Sequence, residues 1–314
     1  MKPHIHINDV AVRDGFQIEK NIIATETKVA LIDALSETGL AKIETTSFVH
    51  PKLVPNMADA VEVLSNIRRA PGVKYTVLVP NLKGMERAIQ THRNHGKIDE
   101  INVVMSVSET HNRANINRTC EESFADFTVM IGMAKDAGIR MNGTLSTTFG
   151  CPFEGFVPEE RVMMFAERYA ALGFDGVTLA DTTGMANPAQ VHRISKDAVT
   201  RLPNIEFTLH FHNTRGMGLA NVVAGIEAGI HSYDGSLAGL GGCPFAPGAT
   251  GNICTEDMVN MLEDMGYDTG VELDKLLAVA VKMPAIVGHD VPGQVMRAGK
   301  TMHLHPVPDK LYTQ

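Results

Sequence analysis

"IEFTLHFHNT", residues 205–214, reads as a β-strand with two different faces. Side chains alternate across a strand, so Glu206, Thr208, His210 and His212 share one face and Phe207, Leu209 and Phe211 the other. The polar face ends in two imidazoles side by side. That pair is either a metal site or two hydrogen-bonded histidines at a strand end.

The segment is one of eight. Strand-like stretches recur as "HIHINDVAV", "AKIETTSFV", "YTVLVPN", "EINVVMSVS", "RMNGTLSTTF", "GVTLADTT", "EFTLHFHNT" and "YDGSLAGL". Helical patterns alternate with them, over 26–37, 57–69, 83–94, 121–137, 158–172, 188–201 and 216–229, with more from Thr255 to Met265 and from Glu272 onward. Thr255-Glu256-Asp257 reads as a helix start, a capping oxygen followed by two acids in the first turn. Eight strand–helix units in 314 residues predict a (β/α)8 TIM barrel over residues 1–285, with extra C-terminal helices, and 286–314 as an extension of the same domain. The alternative is an open doubly wound sheet. No GxGxxG follows the first strand, which counts against it.

Composition narrows the function. Apolar residues make up 44% of the chain, enough for a sizeable core, and the net charge is −8 with no basic block. This argues against a nucleic-acid partner. An anionic small substrate would then need local Arg or Lys. Cys120, Cys151, Cys243 and Cys254 form no CxxC and no zinc spacing. No stretch is apolar enough to span a bilayer, and the N-terminus runs straight into a strand. The expectation is a soluble cytoplasmic protein with no membrane partner.

Barrel enzymes work at the C-terminal strand ends. Those ends carry Arg13-Asp14, Glu44, Asn81, Ser106, Asp181, His210, His212 and a glycine-rich loop. Arg13 and Asp14 would face apart on a regular strand, but Gly15 suggests a bend that turns both to the mouth. Asp14, His210 and His212 give one carboxylate and two imidazoles, a set open to Mn, Mg, Zn or Fe(II). An added amide oxygen would favour Mg or Mn. "AGLGGCPFAPGATGN", 238–252, holds five glycines and Cys243 and reads as a lid. Asn252 either caps the next helix or offers its amide oxygen to a metal.

"RDGFQIEKN", "IETTSFVHPKLVPNMAD", "GCPFEG", "HFHNT" and "AGLGGCPFAPGATGN" followed by "TEDMVNMLE" resemble the 3-hydroxy-3-methylglutaryl-CoA lyase family over roughly residues 5–280. The resemblance implies a metal-dependent carbon–carbon lyase that cleaves 3-hydroxy-3-methylglutaryl-CoA to acetyl-CoA and acetoacetate. It implies Mg2+ or Mn2+ held by Asp14, His210, His212 and Asn252. Arg13, Asp14, Glu44, His210 and Cys243 become the catalytic residues, and Arg13, Gln17 and Asn115 the substrate contacts. Arg13 would stabilise the enolate oxygen, and Asp14 or His210 would take the hydroxyl proton. An acyl-CoA partner and a homo-oligomer, dimer or tetramer, follow from the same resemblance. The family's usual acid after the second histidine is replaced by Asn213, and His111 and Arg113 are additions after the fourth strand. His303 and His305 form another HxH, read as exposed tail. The rivals are the same cleavage of a related thioester such as citramalyl-CoA, and a condensing acyltransferase using acetyl-CoA.

Overall fold

Eight strands close into a barrel in chain order, each parallel to its neighbours, with β1 bonded to both β2 and β8. The computed structural model describes residues 3–242, 251–302, 304 and 306–307. The strands are β1 (His6–Asp9), β2 (Lys42–Ser47), β3 (Lys74–Leu78), β4 (Glu100–Ser106), β5 (Arg140–Ser146), β6 (Gly176–Asp181), β7 (Glu206–Phe211) and β8 (Ser232–Gly235). Around them lie α1 (Thr25–Ser36), α2 (Ala60–Asn66), α3 (Leu82–His95), α4 (Glu109–Ile116), α5 (Cys120–Ala137), α6 (Glu159–Leu172), α7 (Pro188–Arg201) and α8 (Gly218–Ala228). α9 (Thr255–Asp264), α10 (Leu273–Ala280), α11 (Met283–Val287) and α12 (Val295–Ala298) follow. The TIM barrel and the extra C-terminal helices are therefore as expected. Among the described residues no helix is long and apolar enough to cross a membrane.

The core lies outside the barrel, between strands and helices. Ile7, Ile43, Val77, Val103, Leu179, Phe207, Leu209 and Tyr233 are buried there. The barrel interior is polar instead. Asn8, Lys42, Thr76, Glu100, Asn102, Asn142, Thr178, Thr208 and Asp234 surround a cavity of about 20 Å³. Burying polar groups is costly unless they bond to one another. Most of them do, the Thr76 hydroxyl excepted: Asn142 Nδ2 donates to Asn102 Oδ1 at 3.0 Å and to Thr178 Oγ1 at 2.9 Å, and Lys42 pairs with Glu100 at 2.5 Å.

Three elements differ from the sequence reading. The first strand stops at Asp9, and Ala11–Gly15 forms a π-helical turn in which Asp14 N and Gly15 N both donate to Val10 O, at 2.7 and 3.3 Å. The helix expected over 57–69 is only Ala60–Asn66, entered through a 3-10 turn at Pro55–Met57. α4 was not expected. Its sequence, ETHNRANI, carries no apolar stripe, and it is started by Ser108 Oγ accepting from His111 N at 3.0 Å.

The start of α9 is also built differently. Thr255 is not its cap: the capping position is Cys254, and the Thr255 hydroxyl donates to Asp9 Oδ2 at 2.6 Å. Glu256 and Asp257 do more than balance a helix dipole. Asp257 accepts from Gln294 N and Val295 N, at 3.1 and 2.7 Å, and so docks the C-terminal segment at the start of α12. Glu256 Oε2 accepts from Ala238 N at 3.0 Å, and Gly293 N donates to Ala238 O at 3.2 Å. The chain after α11 thus lies against the stem of the glycine-rich loop.

Burial pushes the Glu256 carboxyl up to about 8 from an ordinary 4.5. Between those pH values the folded chain keeps a proton that the unfolded chain has lost. The stability this group contributes is full below about 4.5 and declines as pH rises toward 8. Glu256→Gln should remove that decline. Urea unfolding of parent and variant from pH 5 to 9 should show a stability difference that grows with pH in the variant's favour, by up to about 1.4 kcal/mol per pH unit. Parallel curves would show that Glu256 does not titrate in this range.

Candidate active site

The π-helical turn after β1 answers how two neighbouring residues come to face one site. Arg13 and Asp14 both point into the mouth and are both buried. Arg13 Nε donates to Glu44 Oε2 at 2.5 Å, and its Nη1 donates to Asp14 Oδ1 at 2.7 Å. Glu44 comes from β2, just where the register with β3 slips between Glu44 and Thr46. Such irregularities re-aim side chains. Glu44 Oε1 also accepts from Asn102 Nδ2 at 3.3 Å, which ties the cluster to the polar barrel interior.

Asp14, His210 and His212 have ligand atoms within 4.8 Å of one another. His210 is the last but one residue of β7, and His212 follows directly after the strand, bridged antiparallel to Asn252. That bridge brings Asn252 into the cluster. It does not cap α9. Its Nδ2 donates to Asp14 Oδ2 at 2.7 Å and to Leu240 O at 2.9 Å. Gly241 lies against this contact: a Cβ there would stand 2.7 Å from Asn252 Nδ2, and the residue has φ 91°. Gly251, at φ 95°, would place a Cβ 2.1 Å from Gly241 O. These two glycines serve close backbone approach.

Charge is distributed unevenly over the cluster. Burial opposes ionisation of Asp14, but Arg13, His210, His212 and the Asn252 hydrogen bond outweigh it and hold the carboxyl at about 2. Burial, then the neighbouring His210, holds His212 at about 4, in the neutral form that binds metals. His210 goes the other way: burial lowers it, but the Asp234 carboxylate at 3.2 Å and then Asp14 raise it.

These residues fit a divalent cation. Among the described residues no hydrogen-bond partner faces the buried Asn252 Oδ1 or His212 Nδ1. Two polar atoms that burial leaves wanting a partner therefore stand beside a carboxylate and a second imidazole. An O/N set of this kind suits hard or borderline divalent ions.

The other residues singled out in the sequence have varied places. Gln17 Nε2 donates to Asp14 Oδ1 at 2.9 Å. Asn115 is exposed on α4, outside the cluster. Cys243, His303 and His305 lie outside the described residues. Asn81 caps α3, accepting from Gly84 N at 3.0 Å. Ser106 is fully buried against His111 at 2.7 Å. Asp181 accepts from Met185 N at 2.7 Å and braces the loop after β6. Asn213, which departs from the acid that the resemblance implies at this position, accepts from Gly218 N at 3.1 Å at the start of α8. Asp234 escaped the sequence reading, although its place in "SYDG" on a barrel strand was a signal available there.

Fold and cluster together define a barrel enzyme with a carboxylate–imidazole site at the C-terminal strand ends. The comparisons agree. A hydroxymethylglutaryl-CoA lyase of Bacillus subtilis, YngG, is 45% identical over 297 residues, 95% of this chain and 98% of that protein. The human mitochondrial hydroxymethylglutaryl-CoA lyase is 42% identical over 273 residues, 87% of this chain and 82% of its own. The structure of an HMG-CoA lyase from Acinetobacter baumannii, in complex with coenzyme A and 3-methylmalate, superposes with a TM-score of 0.91 at 47% identity, covering 97% of this chain and 98% of that one. Residues 4–282 match the HMGL-like family. The chain belongs to that family, and with it stands among the carbon–carbon lyases.

Removing one member of a buried charge cluster leaves another uncompensated. Arg13→Met, which leaves both Glu44 and Asp14 without their cation, should therefore lower unfolding stability by about 3 kcal/mol or more. Adding Glu44→Leu should recover part of that loss, a non-additivity readable by urea unfolding. Strictly additive losses would show that the pair is not coupled.

Proposed function

We propose that the protein cleaves 3-hydroxy-3-methylglutaryl-CoA to acetyl-CoA and acetoacetate, using a divalent cation, Mg2+ or Mn2+. The observation that carries this reading is the convergence of Asp14, His210, His212 and Asn252 beside the Arg13–Glu44 pair, in a chain more than 40% identical to lyases of that name.

Asp14, His210, His212 and Asn252 would hold the ion. When bound, it supplies Lewis acidity that polarises and orients substrate oxygens. The rest falls to the chain itself. Cleavage of the C2–C3 bond needs the hydroxyl proton removed, negative charge held on the thioester oxygen, and the new carbanion protonated. Arg13 meets the second need. Its charge is permanent, and Glu44 and Asp14 fix its plane, so the guanidinium is already oriented when the enolate oxygen develops.

For the first need, the candidates are Asp14 and His210. His210 has Nδ1 committed to Asp234 and its second nitrogen turned to the ligand cluster. Among the described residues Asp14 Oδ2 accepts a hydrogen bond from Asn252, and a carboxylate oxygen can accept two. For the third need the family resemblance supplies Cys243, with Gln17 and Asn115 as substrate contacts. An acyl-CoA partner, a homo-oligomer and a cytoplasmic location belong to the same proposal.

A panel of hydroxyacyl-CoA thioesters tests the assignment. 3-Hydroxy-3-methylglutaryl-CoA should give acetyl-CoA and acetoacetate. Chelation should abolish turnover, and Mg2+ or Mn2+ should restore it. Faster cleavage of citramalyl-CoA would move the substrate assignment to that compound, and full activity after chelation would end the metal reading. Arg13→Lys should lower kcat by at least about 100-fold with KM changing less, because an ammonium cannot replace the fork. A near-parental kcat would remove Arg13 from the transition state.

A further inference from the structure

We infer that Asp234 is a positioning residue that fixes the tautomer and the aim of His210 from inside the barrel. The inference rests on the metal reading above and deepens it. His210 and Asp234 are register partners on β7 and β8, and Nδ1 lies 3.2 Å from Asp234 Oδ2. By itself that contact is ambiguous, since an imidazole nitrogen can donate or accept.

Asn8 resolves it. Its Cα is the register partner of Asp234 across the β1–β8 seam. Its Nδ2, which can only donate, gives one hydrogen bond to Asp234 Oδ1 at 2.9 Å and another to Ser232 Oγ at 3.1 Å. Asp234 is therefore an acceptor on that side. On the next strand along, Lys42 pairs in register with Asn8 and places a buried ammonium beside the same polar layer. A carboxylate offers only acceptor oxygens, and with Oδ1 taken by Asn8 the oxygen facing the imidazole is Oδ2, so His210 Nδ1 carries the hydrogen. The lone pair is then on Nε2, the nitrogen left for the ligand cluster. Four strands, β7, β8, β1 and β2, hold this arrangement, so the ring is aimed by backbone that cannot turn independently.

The polar barrel interior gains a purpose from this. A barrel usually fills its interior with branched apolar side chains. Here Asn8, Lys42 and Asp234 form a ladder that ends on a ligand of the site. Partners of metal-bound histidines act in this way, and removing them typically weakens metal binding roughly 10–100-fold.

The test uses Asp234→Asn. With Asn8 Nδ2 donating to position 234 and to Ser232 Oγ as in the parent, the new amide turns its oxygen to Asn8 and its NH2 to His210 Nδ1, which enforces the opposite tautomer. Mn2+ binding to the metal-free protein, followed by electron paramagnetic resonance, should weaken about 10–100-fold. In 15N-histidine NMR at alkaline pH, where the ring is neutral, the His210 signals should change from the Nδ1–H to the Nε2–H pattern, with His210→Gln providing the assignment. Asn8→Leu, which removes the donor and keeps a similar volume, should weaken Mn2+ binding in the same direction and by less. It serves as the second variant if Asp234→Asn does not fold. Parent-like Mn2+ affinity in both variants, or an unchanged Nδ1–H pattern in Asp234→Asn, overturns the inference and leaves the metal reading standing. A parent protein that binds no Mn2+ overturns the metal reading and, with it, the positioning role of Asp234.

Discussion

A guanidinium locked between two carboxylates is the constraint around which the site is arranged. Arg13 is buried, and so are Glu44 and Asp14. Three charges out of water are expensive unless each is paired and hydrogen-bonded. The neighbouring features meet that demand. The π-helical turn brings Arg13 and Asp14 to one site, where a regular strand would send them to opposite faces. The register slip in β2 delivers Glu44 to the guanidinium. Gln17 and Asn252 take up the remaining reach of Asp14. Once Asp14 is held, the two imidazoles at the end of β7 have a fixed carboxylate to face.

The alternation of "EFTLHFH" was legible because one face of β7 meets helices and the other meets the barrel axis. Phe207, Leu209 and Phe211 are in the outer core, and Thr208 and His210 are inside. The eight strands were legible for the same reason, and their order followed from the alternation of strand and helix. What stayed hidden was set by contacts distant in sequence. Residues 10–12 read as strand because Val10, Ala11 and Val12 are apolar, while the turn is decided by two amides sharing one carbonyl. α4 has no stripe to announce it. Asn252 had two readings, and only its bridge to His212 shows that it turns away from the helix start toward Asp14. Asp234 is one acid in a strand until Asn8 and His210 are seen on either side of it.

The acids at the start of α9 show how a correct local signal can carry a different meaning. Two carboxylates in a first turn do favour the helix dipole. In this fold both are buried, and both are occupied by chain that lies elsewhere in the sequence: Asp257 by the segment entering α12, Glu256 by the stem of the glycine-rich loop. That stem is therefore braced at Ala238 by α9 and by the chain after α11.

Asp14 and Asn252 are joined by a hydrogen bond across a sequence separation of 238 residues, and β1 pairs with β8 across a similar span. Contacts of that range form late, because the entropy of closing the loop must be met before they add stability. A chain that has built its first six or seven strands holds Arg13, Glu44 and Asp14 but has no complete ligand set. The site is therefore complete only when β1 and β8 have closed the barrel and Asn252 has met Asp14. Any ion that binds this set would bind only the closed form, so it would act on the whole domain as a clasp and slow its opening.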